Sequence, residues 1–505
     1  MICFRDKIIE KEYLLTENEL SFHNQITNSS VYFNLSKDKI LFSSDERLLL
    51  KKPFEPGHIN EISYLKYLFS DNLVSRNISE SINKNIFRLQ ANSILKVKKD
   101  SSFKIELFEE KDIKSSNLED SLLESFNEID SGKKAGLLYS GGLDSCLIST
   151  VLENNGHIME LYHLDYHGIQ SRTEIIADEI SRFFGKKMKH IFFDVENFPE
   201  AEDMINIFKK NFNGIQSGLQ FALNKSLKAQ IVKDGVEVLV TGQNADTLMY
   251  VDHYFPPTQL ILFERFLKTL TGIPKRLKKV FESKFRSKNI YKDPNFYSLS
   301  EHCKSTEDIQ IYIENKYKNE LKESFKKNTI LSTRKKSKLE IIKNIRWFRS
   351  CASVNDNYQS LEDQSGIKRI SLFNSQIFLN YSLSHAFSVF NLIICKYEFA
   401  KLFFSINKIS HRMLVIKALF RNYKILLKSK DERIKKSKEI QKKEIKLLKD
   451  ILDEINIEEL HSFIEQSIDD SYIKDYLKDL LKKSLSEPYE RKVILRLVNM
   501  YVYLY

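Results

Sequence analysis

One short stretch constrains this chain more than any other: Leu137-Leu138-Tyr139-Ser140-Gly141-Gly142-Leu143-Asp144-Ser145-Cys146-Leu147-Ile148. The apolar run at 135–139 reads as a buried strand, and the apolar spacing that resumes near Ser145 reads as a helix. Between them, Gly141 and Gly142 allow backbone conformations and a closeness of approach that a side chain would block. Backbone N–H groups and the new helix N-terminus then face outward as a cradle for an anion. Ser140 and Ser145 add hydroxyl donors. Asp144 is the discordant residue. A carboxylate beside phosphates is repulsive unless a cation lies between them, so its presence points to Mg²⁺. The stretch is not a Walker loop, because GxxxxGK[ST] is absent and no lysine stands where it would reach a β/γ-phosphate. The plainer alternative is a glycine-rich β–α turn that binds nothing.

The surroundings of this turn set the fold class. From about residue 116 to 250, strand-like runs at 135–139, 159–164, 190–195 and 236–241 alternate with helical stretches at 173–184 and 218–232. That order predicts an α/β fold, a doubly wound, mostly parallel sheet with helices on both faces. Shorter alternating runs at 31–35 and 39–42 predict a small β-rich module over 1–115, with a helix at 61–69. Beyond about 260 the pattern is helical. The expected division is therefore 1–115, 116–425 and a helical, Lys/Glu-rich extension at 426–505. Only 14 Gly and 8 Pro in 505 residues also favour long helices over tight turns.

Charge and cysteine usage exclude little and suggest a setting. A net charge of +11 suits ATP and pyrophosphate, nucleic acid or an anionic surface equally. The run 428–449 interleaves lysine with Asp and Glu, not with aromatics, so it reads as a solvated helix or linker, and nucleic acid is not expected as a partner. Cys3, Cys146, Cys303, Cys351 and Cys395 show no CxxC or metal spacing and read as isolated thiols in a reducing cytoplasm. Met1-Ile2-Cys3-Phe4-Arg5-Asp6 runs straight into charge and does not read as a signal peptide. The most apolar stretch, 376–395, is interrupted by Asn380, Ser382, Ser384, His385 and Asn391, so it reads as a buried helix and no membrane is expected.

Ser140-Gly141-Gly142-Leu143-Asp144-Ser145 resembles the pyrophosphate loop of the N-type ATP pyrophosphatases, in which the loop holds the departing β/γ unit while AMP is transferred. About 100 residues later, Val238-Leu239-Val240-Thr241-Gly242-Gln243-Asn244-Ala245-Asp246-Thr247-Leu248 follows another strand. It is similar to the strand and Ser-Gly-Glu-Gly-Ala-Asp-Glu-Leu segment of asparagine synthetases, matching at Gly242, Ala245, Asp246 and Leu248. Residues 86–97 resemble the segment that closes that family's N-terminal domain, with Ala91-Asn92 where Pro-Gly is usual. Gly366-Ile367-Lys368-Arg369-Ile370-Ser371-Leu372-Phe373-Asn374 resembles the family's Glu-Val-Arg-Val-Pro-Phe-Leu-Asp.

The resemblance implies an ATP-dependent carbon–nitrogen ligase that adenylates a carboxylate, releases AMP and pyrophosphate, and couples the carboxylate to an amine or ammonia. Catalytic roles fall to Asp144, Asp246 and Gln243, with Lys428 or Lys430 as the lysine facing pyrophosphate, and Lys417 as a further candidate. ATP and pyrophosphate contacts are implied for Tyr139, Ser140, Gly141, Gly142, Leu143, Asp144, Ser145, His163, Thr241 and Gly242, and Mg²⁺ ligation for Asp144 and Asp246. His163 and His167 at i, i+4 do not read as a metal pair, because the first ends a strand. Tyr358 and Glu362 read as an ordinary helix-face pair.

Departures from the family bear on the substrate. Ile2 stands where a glutamine-hydrolysing relative has its nucleophilic cysteine, and the N-terminal module is short, so no glutaminase is expected. Gln243 replaces the first Glu of the second motif, Asn244 a Gly, and Thr247 the Glu after Asp. Gln243 can hydrogen-bond but cannot act as a base. Relatives that lack the glutaminase, the lasso peptide cyclases and β-lactam synthetases, are similar in this respect, and the cyclases also in length. They take a peptide or small-molecule carboxylate. Two other readings stay open: a catalytically silent ATP-binding scaffold of the same fold, and an RNA-modifying ATP pyrophosphatase.

Overall fold

The structure is a computed structural model and describes residues 9–12, 19–24, 31–35, 39–43, 46–49, 59–69, 81–89, 93–98, 103–107, 117–127, 133–140, 142–157, 159–166, 185, 187–193, 197–210, 217–245, 307–321, 367–375, 377–378, 381, 397–406, 430–483 and 487–505. The expected helix at 173–184 and most of the apolar stretch at 376–395 lie outside them.

Among the described residues, seven strands precede residue 115: β1 (Ile9–Glu12), β2 (Glu19–Asn24), β3 (Val31–Leu35), β4 (Lys39–Ser43), β5 (Ile86–Leu89), β6 (Ser93–Lys98) and β7 (Phe103–Leu107). They form two antiparallel sheets, ordered β1-β4-β3-β5 and β2-β6-β7. The alternation read in β3 is real, since Val31 and Phe33 are buried while their neighbours are less so. Phe33, Phe42, Leu95 and Val97 close one core between the sheets, and Phe33 meets Phe87 and Phe103 at 5.5 Å each.

The central sheet has five strands: β8 (Ala135–Leu138), β9 (Glu160–Tyr166), β10 (Met188–Phe193), β11 (Val238–Thr241) and β12 (Lys368–Ser371). Their order is β10-β9-β8-β11-β12, and every pairing is parallel. Helices α2 (Leu118–Asn127), α3 (Leu143–Asn154) and α7 (Tyr397–Ile406) cover one face through Leu122, Phe126, Leu147, Ile148 and Phe399. Helix α5 (Gly218–Lys233) covers the other through Leu227 and Ile231 against Tyr162, Ile191 and Leu239. This is the doubly wound α/β fold. β12 falls in the region whose pattern reads as helical. Its four residues, Lys368-Arg369-Ile370-Ser371, carry no apolar run, and only the last two are buried. Pairing with β11, not local sequence, makes it a strand.

At the amino ends of the strands, side chains lock the sheet to α5. Tyr162 lies over Gly136, where an added Cβ would come within 2.7 Å of the ring, and its hydroxyl donates to Asp234 Oδ2 at 2.7 Å. Lys189 pairs with Asp234 at 2.8 Å and with Glu160 at 2.9 Å. Burial of Asp234 works against its charge, but hydrogen bonds from Gln230, Lys189 and Tyr162 overcome it and hold the carboxyl at about 2. Burial, aided by Asp234, raises the Tyr162 phenol well above its ordinary value.

The remaining helices form a second core: α4 (Ala201–Lys210), α6 (Glu307–Lys316), α8 (Lys430–Glu454), α9 (Ile457–Ser467), α10 (Ser471–Lys482) and α11 (Pro488–Leu504). Helix α1 (Glu61–Phe69), from the N-terminal third, belongs to this same core. Its last carbonyls, which no helical N–H can reach, are taken by distant side chains. Gln310 and Tyr489 donate to Phe69 O, and Arg496 to Leu68 O at 3.2 Å. At its other end Glu61 accepts from the Tyr317 hydroxyl and the Asp469 N–H. Core packing thus runs across residues 115 and 425.

Helix α8 is not simply solvated, as its lysine content had suggested. Leu447, Leu448 and Ile451 are buried, and the Glu444 carboxylate accepts from the first N–H groups of α5, at Gly218 (3.3 Å) and Leu219 (3.0 Å). Burial pushes the Glu444 carboxyl up, and those two N–H groups partly offset it.

Two outcomes follow for stability. A carboxyl lowered on folding stabilises the protein above its unfolded value and loses that contribution as pH falls through the folded one. Asp234→Asn should therefore cost about 1 kcal/mol at neutral pH, after allowance for solvent screening, and flatten the stability loss between about pH 4 and 2, read by urea titration across pH. Glu444→Ala should cost about 1–2 kcal/mol in the same measurement, by leaving the Gly218 and Leu219 N–H groups without that acceptor while Ser217 still caps Gln220.

Candidate functional site

The chain runs β8-β9-β10 to one side and then returns to place β11 and β12 on the other, so the order reverses between β8 and β11. Open α/β sheets bind ligands at the carboxyl ends of the strands flanking such a reversal. Both glycine-bearing turns emerge there: 139–142 after β8 and 242–245 after β11.

In the first turn Ser140 and Ser145 shape each other. The Ser145 hydroxyl lies 3.2 Å from the Ser140 N–H and 3.3 Å from Ser140 Oγ, and donates to Gly142 O at 3.1 Å. Ser140 Oγ also accepts from the Gly142 N–H at 3.2 Å. Gly142 is the N-cap of α3, in extended conformation, so the helix starts at Leu143, two residues before the sequence suggested. With glycine at the cap, no side chain closes the helix N-terminus. Asp144 stands in its first turn.

The second turn presses against the first. A Cβ on Gly242 would come within 3.1 Å of Asp144 Cβ and 3.4 Å of the Ser145 nitrogen. A side chain here would have to push the Asp144 turn aside by a few tenths of an ångström, so glycine fits best by proximity. Asn244 has φ 73°, the left-handed region that glycine prefers and asparagine tolerates. Gln243 is exposed, and Thr241 is buried at the end of β11. Ser371, at the end of β12, donates its hydroxyl to Gln243 O, and the Asn244 amide donates to Asn374 Oδ1.

Tyr139 extends β8 by one residue, its N–H donating to Tyr162 O at 2.8 Å. Its phenol points inward and meets Cys146 Sγ at 3.1 Å. Buried His163 brings Nδ1 to 2.7 Å from Tyr139 O, and its ring meets that of His190 at 5.8 Å. Tyr139 and His163 thus act on each other at the strand ends.

Of the residues expected at the site, the structure brings together Tyr139, Ser140, Gly142, Leu143, Asp144, Ser145, His163, Thr241, Gly242 and Gln243. Gly141, Asp246 and Lys428 lie outside the described residues, as do His167, Tyr358, Glu362 and Lys417. Lys430 opens α8, its side chain outside them. Among the described residues no three acidic, histidine or cysteine groups meet in a metal-sized cluster. Sequence reasoning missed Ser371 and Asn374 as contacts of the second turn. Their signal was positional, since each sits where the resembled segment has a different residue.

The model of the asparagine synthase family matches residues 117–388, more than half of the chain. The chain belongs to the asparagine synthase family. A comparison with curated proteins gives no match. The matched span contains the whole five-stranded sheet and both turns. Asparagine synthases are ATP-using carbon–nitrogen ligases, and the first turn fits that nucleotide. An open helix N-terminus offers donors to phosphate, the Ser140 hydroxyl lies beside it, and Asp144 offers oxygen to a cation.

Gly242→Ala should displace the Asp144 turn. We expect at least a tenfold loss of Mg·ATP affinity by calorimetry, with a stability loss of about 1–3 kcal/mol.

Proposed function

We propose that the chain activates a carboxylate by adenylation, releasing pyrophosphate, and then joins it to an amine or ammonia with loss of AMP. The observation that carries this reading is the contact of Gly242 with Asp144, which joins the two ATP-facing turns at the sheet reversal. Ser140, Ser145 and the N-terminus of α3 would hold the β- and γ-phosphates. Asp144 and Asp246 would hold Mg²⁺, which when bound neutralises phosphate charge. The carboxylate oxygen attacks the α-phosphorus as the bond to the β-phosphate oxygen breaks, and Lys428 or Lys430 would receive the leaving pyrophosphate. An amine nitrogen then attacks the acyl carbon, and AMP departs with its oxygen. The protein contributes positioning and charge stabilisation.

The amine is taken from outside, not from glutamine hydrolysed by this chain. What supports this is Ile2, which stands where a glutamine-hydrolysing relative has its nucleophilic cysteine. The carboxylate belongs to a peptide or small molecule, and the setting is cytoplasmic. Among the described residues no helix is long and apolar enough to cross a membrane. Gln243, in place of a glutamate, favours a second reading as an ATP-binding scaffold without turnover.

Product analysis separates the two. Incubation with Mg·ATP and a fractionated host extract should yield AMP and pyrophosphate in equal amounts, and Asp144→Ala should lower the rate by at least about a hundredfold. ADP alone, or bound ATP without turnover, would sink the synthetase reading.

A further inference from the structure

The sheet-facing stripe of α5 carries polar residues where packing calls for apolar ones. Asn224, Leu227, Lys228 and Ile231 stand at i, i+3, i+4 and i+7, and Leu227 and Ile231 pack against the sheet. Yet Asn224 is buried among them, and the exposed Lys228 stands at the rim. β12 repeats the pattern. Arg369 is level with Leu239 of β11, and Ile367 lies two residues before it, so these side chains share the face that α5 covers.

Together these residues line a cavity of about 280 Å³, counted with its mouth. Leu227, Ile231, Leu239 and Ile367 give it aliphatic walls. Asn224, Lys228 and Arg369 bring N–H donors, and among the described residues that line it none is acidic. The Asn224 amide nitrogen is buried and has no hydrogen-bond partner. A buried donor left unpaired costs free energy, so it calls for a group that accepts from it.

The cavity is separate from the nucleotide turns. Leu239 lies two residues before the end of β11 and Arg369 two before the end of β12, about 7 Å along the strands from Thr241 and Ser371. Helix α3, whose N-terminus opens at the first turn, packs on the opposite face of the sheet.

We propose that this cavity is a binding site for a small carboxylate with a short aliphatic chain. The chain lies against the aliphatic walls, and the carboxylate accepts from the Asn224 amide beside the positive charge of Lys228 and Arg369. The site stands on these residues and not on the adenylation reading.

The test titrates butyrate into the full chain without ATP, read by saturation-transfer NMR. The parent should bind saturably with a Kd of about 1–10 mM, and butyramide, equal in shape but uncharged, should bind at least about fivefold more weakly. Asn224→Leu keeps the shape and removes the donor, and Arg369→Gln removes the charge. Each should weaken butyrate binding at least about fivefold, with thermal unfolding confirming that the variant folds. Gly242→Ala, which disturbs the nucleotide turns, should leave butyrate affinity within about twofold. No saturation in the parent, or an affinity that both cavity variants leave within about twofold, would overturn the proposal, since the amide then meets water alone. Loss of butyrate binding in Gly242→Ala would overturn it too, by placing the carboxylate at the nucleotide turns.

Discussion

Gly242 and Asp144 approach so closely that a Cβ on Gly242 would stand 3.1 Å from Asp144 Cβ, tighter than ordinary packing. That contact joins two turns about a hundred residues apart, and the arrangement of the sheet exists to make it possible. β8 and β11 must be neighbours, in parallel, with their carboxyl ends level. The register Val240↔Leu137 supplies this. The reversal of strand order falls between these two strands, at the place where open α/β sheets bind their ligands. Serine hydroxyls tighten the first turn, and a left-handed asparagine tightens the second.

Other described elements brace the sheet that carries those turns. At the amino ends of the strands, Asp234, Lys189, Tyr162 and Gln230 tie α5 to the sheet. At the other end of α5, Glu444 reaches across from α8 to the helix N-terminus. Because α8 shares a core with α1, α4 and α11, the N-terminal and C-terminal thirds are coupled through one helical assembly. The side chains that cap α1 come from residues 310, 489 and 496, so its ends are set by tertiary contacts.

Local pattern revealed much of this. The helix read at 61–69 has those bounds, and the helix read at 218–232 extends one residue further. Helix α3 begins two residues early, because backbone geometry at Gly142, and not apolar spacing, decides where a helix starts. The lysines of α8 concealed a buried stripe at Leu447, Leu448 and Ile451, since composition averages over faces that packing separates. β12 escaped altogether. Lys368 and Arg369 give it no strand signature, and only β11 makes it one. At the site, the glycines, serines and Asp144 were visible because a glycine-rich turn between a strand and a helix stands out in local sequence. Ser371 and Asn374 were not, because their only signal was a departure from the resembled segment, and local sequence does not name the partner of a hydroxyl or an amide.

By itself, then, the sequence determined the strand–turn–helix unit at 135–154, the alternation that makes the sheet parallel, and the residue types at the carboxyl ends of β8 and β11. These depend on local sterics and periodicity, which a few neighbouring residues fix. Tertiary structure alone decided that β11 and β12 flank β8 on the side away from β9. It also joined Asn244 to Asn374 and seated α1 among C-terminal helices. Those arrangements depend on pairings between residues more than a hundred positions apart, and such pairings are chosen by the burial and hydrogen bonding of the whole chain, not by any stretch of it.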